Sequence, residues 1–193
     1  MVEEALVTES ITALQLAYHI RRERIGRRRL ADRTGLSEMA VRTALEQLRD
    51  RKLVSLERSG VMLTSAGRRH FLPSLEPIRS VFPIGLTTLR LDHVSIGADL
   101  ARQDTGPAWT LRDRAIQEGA TGLLLLRFGN REWVFAHDGE PVRRRNPDDA
   151  ATIEAALSDP RDGDRLMIVS APDRRRAGLG LWRALSGVLE GRS

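Results

Sequence analysis

The chain of 193 residues contains no cysteine, and this absence excludes several kinds of chemistry at once. Disulfide bonds, thiolate zinc sites, iron–sulfur clusters and cysteine nucleophiles all require a thiol. Disulfides belong to oxidising compartments, so their absence favours an intracellular, cytoplasmic protein. Hydrophobic residues nevertheless make up 41% of the chain, which is enough to build a packed core.

Long apolar runs are also missing. The longest purely apolar stretches, such as Leu123 to Leu126, are far shorter than the roughly 20 residues that a helix needs to cross a bilayer. The first residues, Met1 to Glu4, are acidic, whereas a signal peptide starts with basic residues followed by an apolar run. We therefore expect no signal peptide and no membrane partner.

Signatures of common enzymes are absent as well. The sequence has no P-loop, no G-x-G-x-x-G after a strand and no G-x-S-x-G elbow. No two of the four histidines have the spacing of three or four residues at which a helix presents a metal-binding pair. We therefore predict that the protein is not an enzyme and that it has no cofactor and no metal site.

Positive charge is concentrated in one N-terminal segment. Between Ile20 and Arg69 there are 14 basic and 6 acidic residues, whereas Ile84 to Ser193 contains 16 of each. Such an excess is typical of a segment that binds a polyanion such as DNA; a solvated basic surface is the alternative. Almost all basic residues are arginine, but this bias extends over the whole chain and does not indicate a function.

The N-terminal part is predicted to form three helices, a β-hairpin and a fourth helix, because capping residues, apolar spacing and turn glycines follow one another in that order. In chain order, the predicted elements are a helix capped by Ser10, a helix from Arg28 to Arg33, a helix capped by Ser37, strands Leu53 to Glu57 and Val61 to Leu63, and a helix from Thr64 to about Leu75.

The stretch from Leu30 to Leu48 carries the main functional argument. Gly35 permits a tight turn between two helices, and helical spacing places Met39, Arg42 and Thr43 on the outer face of the second one. In a helix-turn-helix, the N-terminal end of this face enters the major groove of DNA.

This stretch resembles winged-helix transcriptional regulators. Together with segments 25–30 and 61–67, it is most similar to a family of archaeal winged-helix proteins whose C-terminal half is a domain of unknown function. The resemblance implies an archaeal source and a transcriptional regulator that binds double-stranded DNA. It also implies the DNA-binding residues: Ser37, Met39, Arg42 and Thr43 for bases and nearby phosphates, Arg27 and Arg28 for the DNA backbone, and Arg58 and Ser59 for the backbone or minor groove.

One residue departs from the pattern of this family. Glu38 stands where a basic or small polar residue is frequent. An acid repels phosphate unless it pairs with Arg42, four residues further on, or accepts a hydrogen bond from a cytosine amino group. The detailed DNA contacts therefore depend on the partner of Glu38.

The C-terminal part is predicted to be a separate α+β domain over residues 87–193. Prolines disfavour helix in their neighbourhood, so Pro73, Pro77 and Pro83 predict a proline-containing linker over 76–86, after a winged helix-turn-helix domain over 1–75. The remaining elements are expected in the order β-α-β-β-α-β-α, with strands at Thr88 to Ser95, Gly122 to Phe128, Glu132 to His137 and Arg165 to Ser170. This order favours a ferredoxin-like sandwich.

We expect this second domain to dimerise or to sense a small-molecule effector. One winged helix offers few base contacts, and a homodimer that binds two half-sites is the usual solution. A weak candidate for a ligand site is the helix start at Asp173, Arg174 and Arg175, where an anion could bind; a simple helix cap at Asp173 is the alternative.

Two other functions remain open at this point. The chain could be an enzyme, such as a nucleotide or vitamin kinase, fused to a winged helix. Alternatively, the winged helix could bind a protein partner instead of DNA.

Overall fold

The computed structural model describes residues 10–190 of the chain. It divides after Leu75 into two compact units, Met1–Leu75 and Glu76–Ser193. The acidic start at Met1 to Glu4, on which the signal-peptide prediction rests, lies outside the described residues. Within residues 10–190, no helix is both long enough and apolar enough to span a membrane.

The first unit is a winged helix-turn-helix, as predicted. Its elements are α1 (Ile11–Ile20), α2 (Arg27–Thr34), α3 (Glu38–Asp50), β1 (Val54–Glu57), β2 (Gly60–Leu63) and α4 (Ser65–Leu75). Leu30, Val41, Leu45 and Leu48 are at most 2% exposed, which confirms the apolar face predicted for the two central helices. Burying each of these side chains stabilises the unit by about 2 kcal/mol.

The wing is attached to the segment that precedes α2. Ile25 and Val61 exchange two backbone hydrogen bonds, of 3.1 and 2.9 Å. Gly60 begins β2 at a φ of 128°, and a Cβ at this position would lie 2.9 Å from the carbonyl carbon of Ile25. Only glycine combines this conformation with so close a backbone contact, so Gly60 fixes the wing beside the start of α2.

The second unit is an α+β domain built on a five-stranded antiparallel sheet with strand order β3-β4-β7-β5-β6. Its elements are β3 (Ile78–Pro83), β4 (Val94–Leu100), α5 (Ala108–Gln117), β5 (Gly122–Gly129), β6 (Glu132–Phe135), α6 (Val142–Arg145), α7 (Pro147–Ala156), β7 (Arg165–Ala171) and α8 (Arg174–Glu190). The predicted α+β class is therefore confirmed.

Helices cover both faces of this sheet. On one face, α5 and α8 pack together, and Gly180 permits close contact because its Cβ would lie 2.9 Å from that of Ala120 and 3.3 Å from Val169. On the other face, Ile153 of α7 joins a buried cluster with Leu166 and Ile168. Both faces of β7 are thus buried, as expected for a central strand.

The segment predicted as a linker over 76–86 contains strand β3 instead. Pro83 is the last residue of this strand, and Pro77 immediately precedes it. Because β3 lies at the edge of the sheet, a missing backbone donor at its end costs little. The prolines therefore mark the ends of an edge strand.

The strand predicted over Thr88 to Ser95 was also wrong. Residues 88–93 are bends or irregular backbone, and β4 occupies Val94–Leu100. Gly97 and Asp99 interrupt the apolar pattern of β4, although both are buried. Asp99 is tolerated there because its carboxylate lies 3.8 Å from the guanidinium of Arg79 on β3, a partner that the sequence does not show.

The ferredoxin-like topology was wrong as well. In that arrangement, the hairpin partner β6 would lie between the two strands joined by α5, but here β7 lies between β4 and β5. The reason is burial. Leu166–Ala171 is buried on both faces, whereas β6 has four residues, two of them half-buried, and therefore suits an edge.

Candidate nucleic-acid interface

The turn between α2 and α3 is fixed by short-range hydrogen bonds. Gly35 adopts a φ of 74° and ends α2, with its N–H bonded to the carbonyl of Ala31 at 2.8 Å. The Thr34 hydroxyl donates to the carbonyl of Leu30 at 2.7 Å and accepts from the N–H of Leu36 at 3.3 Å. These bonds set the direction in which α3 begins.

Ser37 caps α3, as predicted. Its Oγ accepts a hydrogen bond from the N–H of Ala40 at 3.1 Å, which satisfies one of the open donors of the first turn. The predicted DNA-contacting residues Met39, Arg42 and Thr43 are all exposed on this helix. Met39 is 68% exposed, an unusual position for a large apolar side chain but one suited to contact with a thymine methyl group.

The acid that departs from the family pattern does not pair with Arg42. Instead, Glu38 Oε1 lies 3.6 Å from Nε of Arg28, and Arg42 Nε donates to Glu46 Oε1 at 2.9 Å. The hydrogen bond from Glu46 also raises the pKa of Arg42. Within residues 10–190, Arg42 uses only its Nε in this way, so its two terminal nitrogens can bind a base edge or a phosphate.

The start of α2 forms a strongly positive surface. Arg27, Arg28 and Arg29 are exposed in its first turn, which contains no acid. Basic residues are unfavourable at a helix N-terminus because the helix dipole is already positive there. An external phosphate would relieve this repulsion, since the N-terminal N–H groups and the arginines attract the same anion.

The predicted wing-tip residues Arg58 and Ser59 are exposed between β1 and β2. The structure adds Arg24, which the sequence did not indicate. Its guanidinium donates to the Ser59 hydroxyl at 3.1 Å and forms an ion pair with Glu57. Only the pairing of Ile25 with Val61 brings Arg24 to the wing, so no local sequence signal could have identified it.

The weak ligand candidate at the start of α8 has the geometry of a helix cap. Asp173 Oδ1 accepts from the N–H of Arg176 at 2.9 Å, and the two side chains form an ion pair of 3.4 Å. Arg174 and Arg175 are exposed in the first turn. The carboxylate occupies the position that an anion would need, so the structure favours the cap alternative.

Comparisons with known proteins match the two units separately. Residues 14–79 match the family model of the CggR N-terminal DNA binding domain. Residues 94–188 match the model of a domain of unknown function, DUF4443. The N-terminal winged helix-turn-helix is therefore similar to the DNA-binding domain of a regulator family.

A solved structure resembles both units together. It is a hypothetical protein from Pyrococcus horikoshii OT3, with 21% sequence identity, a TM-score of 0.76, and coverage of 95% of this chain and 94% of the other. This likeness shows a shared fold. A search of the curated proteins found no match.

Proposed function

We propose that the protein is a sequence-specific transcriptional regulator of the cytoplasm, and not an enzyme. The observation that carries this proposal is the exposed outer face of α3, with Met39, Arg42 and Thr43 beside the arginines that open α2. The 3.6 Å approach of Arg28 to Glu38 supports this arrangement, because major-groove recognition needs base-reading and phosphate-binding groups close together.

We also propose that the second unit forms a homodimer through α5. Trp109 and Ile116 are 63% and 45% exposed, and their spacing of seven residues places them on the same face of the helix. Between them lie Arg112 and Asp113, which can form reciprocal ion pairs across a two-fold axis. A dimer would present two recognition helices to two half-sites.

The test is binding of the purified full-length chain to the DNA upstream of its own gene. Affinity is measured against a random duplex of equal length over a series of salt concentrations. We expect selective binding by at least about 1,000-fold, and a steep loss of affinity as salt rises, because phosphate contacts release counterions.

Two results would contradict the proposal. Equal affinity for both duplexes would indicate a non-specific DNA-binding protein. No binding even at low salt, where phosphate attraction is strongest, would indicate that the winged helix serves a protein partner.

A further inference from the structure

The second unit contains a cavity of about 650 Å³ whose lining includes three arginines and two aspartates. Its size lies within the range of small-molecule sites. The cavity opens where β5 ends and β7 begins. Its lining includes Arg102, Gln103, Asp104, Arg127, Gly163 and Arg165.

Two of these arginines face each other across neighbouring strands. The antiparallel register of β5 and β7 places Arg127 directly opposite Arg165, so both side chains lie on the same face of the sheet. Like charges in this position repel each other. In the part of the chain that the structure describes, Arg102, Arg127 and Arg165 form no ion pair within 4.0 Å, so this repulsion is not relieved by a carboxylate in contact.

Several buried polar atoms of the cavity have no hydrogen-bond partner among residues 10–190. They are Nε and Nη1 of Arg165 and both amide atoms of Gln103. Burial lowers the pKa of Arg165, and the positive charge of Arg127 lowers it further. Buried donors without acceptors are rare in folded proteins because their desolvation is not compensated. Three of these four atoms, Nε and Nη1 of Arg165 and Nε2 of Gln103, are donors, whereas Oε1 of Gln103 is an acceptor. The donors beside the cavity therefore indicate a missing acceptor, and the charge of Arg165 favours one with negative charge.

Two glycines provide the space for the arginine side chains. A Cβ on Gly129 would lie 2.6 Å from Nη1 of Arg127, and a Cβ on Gly163 would lie 2.7 Å from Cδ of Arg102. Gly163 also has a φ of 94°, which favours glycine. The Arg127 guanidinium and the aliphatic stem of Arg102 therefore lie against bare backbone, and a methyl group at either position would displace them.

We propose that this cavity binds a small molecule through an oxyanion group, a phosphate or a carboxylate, held by Arg102, Arg127 and Arg165. Guanidinium groups bind both oxyanions with paired hydrogen bonds. The Gln103 amide donates to the same ligand, and Asp104 and Asp162 accept hydrogen bonds from its neutral polar groups. If the proposed function holds, this ligand is the effector of the regulator.

A small molecule fits this cavity better than the phosphates of DNA. The unpaired atoms of Arg165 and Gln103 are buried, whereas a duplex contacts exposed side chains. Asp104 and Asp162 also line the cavity and would repel a polyanion. A single oxyanion on a small molecule satisfies the buried donors without bringing further negative charge to the two aspartates.

Titration calorimetry of the full-length protein tests this proposal, with pyrophosphate and citrate as probes at low salt. Binding of pyrophosphate alone identifies a phosphate site, and binding of citrate alone identifies a carboxylate site. Either result, or binding of both, supports the proposal. Binding of neither probe would overturn it.

Three variants locate the site. Arg165→Met and Arg102→Gln each remove one guanidinium and should weaken binding about 10-fold or more, since a hydrogen bond to a charged group is lost. Gly129→Ala leaves every charge in place but displaces the Arg127 guanidinium, and should also weaken binding. The matched control is Arg90→Gln, an exposed arginine outside the cavity, which should leave binding unchanged.

The outcomes separate this inference from the proposed function. Equal weakening by Arg90→Gln, or no weakening by Arg102→Gln, would show that the oxyanion binds elsewhere and would overturn the inference. Weaker DNA binding by Arg102→Gln without added oxyanion would make the cavity a DNA contact and would also overturn it. Oxyanion binding that responds to the variants supports the site even if the protein does not select its own upstream DNA.

Discussion

Arg79 and Asp164 form an ion pair with two hydrogen bonds. Two guanidinium nitrogens of Arg79 donate to the two carboxylate oxygens, each at 2.6 Å. The carboxylate also accepts from the backbone N–H groups of Arg161 at 2.7 Å and Arg102 at 3.1 Å. One side chain, 2% exposed, thus connects edge strand β3 with the two loops beside the arginine-lined cavity.

We expect Asp164→Ala to lower the free energy of unfolding by about 3 kcal/mol, because it leaves a partly buried guanidinium and two N–H groups without their acceptor. Urea denaturation measures this loss. Glu154→Ala is the control, since Glu154 is exposed and pairs with the exposed Arg143 within the described residues, and an exposed pair contributes little. Equal losses for the two variants would contradict this role of Asp164.

The nearby Asp99 should behave in the opposite way. Burial raises the pKa of Asp99, and the positive charge of Arg79, 3.8 Å away, only partly opposes this effect. An acid with a raised pKa in the folded state destabilises the fold at high pH and becomes less unfavourable as pH falls and the group is protonated.

We therefore expect Asp99→Asn to be neutral or stabilising at pH 7. The difference in stability between the variant and the wild type should shrink as pH falls through the raised pKa of Asp99 towards the ordinary value of 3.8. Thermal unfolding of both proteins between pH 7 and pH 4 follows this difference. If the variant instead becomes more stable relative to the wild type as pH falls, the pKa of Asp99 is lowered in the folded protein.

Gly67 is the glycine of the winged helix that can least accept a side chain. A Cβ at this position would lie 1.9 Å from the carbonyl oxygen of Leu53, and both atoms belong to backbone that cannot move independently. We expect Gly67→Ala to destabilise the unit by about 3 kcal/mol, as overpacking does. Denaturation followed by circular dichroism measures this, with Gly85→Ala, which has no atom within 4 Å of its Cβ, as the harmless control.

Arg42 and Arg27 should affect DNA binding differently. Arg42→Ala is expected to cost about 1–3 kcal/mol on the specific site and much less on random duplex, because a base contact is lost. Arg27→Ala should weaken both complexes equally. It should also reduce the slope of log affinity against log salt concentration by about the contribution of one phosphate contact. Fluorescence anisotropy with both duplexes distinguishes them, and Arg90→Gln controls for lost charge. Equal losses on both duplexes for Arg42→Ala would make it a phosphate contact.

The proposed dimer depends on the exposed face of α5. Trp109→Ala and Ile116→Ala should each shift the protein towards monomer, because large apolar side chains at the centre of an interface contribute most of its binding energy. Analytical ultracentrifugation over a range of concentrations measures the equilibrium. Thr121→Ala, at an exposed threonine outside this helix, is the control. A wild type that is monomeric at all concentrations would disprove the dimer.

The winged helix-turn-helix could be predicted because its signals are local. Ser37 caps its own helix, Gly35 ends the preceding one, and the apolar spacing of Val41, Leu45 and Leu48 needs no distant partner. The second domain was predicted less well because its strands depend on distant neighbours. The buried Asp99 interrupts the apolar pattern of β4, so the sequence did not predict this strand. Pro77 and Pro83 indicated a linker in place of β3, because only the position of β3 at the sheet edge makes those prolines acceptable in a strand.

By itself, the sequence determined the α+β class, the DNA-binding motif and the basic N-terminal segment, since composition and helical periodicity are properties of neighbouring residues. Tertiary structure decided the strand order and the partner of Glu38. It also created the arginine-lined cavity, because Arg127 and Arg165 are 38 residues apart in the sequence and meet only through the register of β5 and β7. β7 is a central strand because both of its faces are buried. The helices and strands that bury them come from the whole domain, so the strand order cannot be read from neighbouring residues.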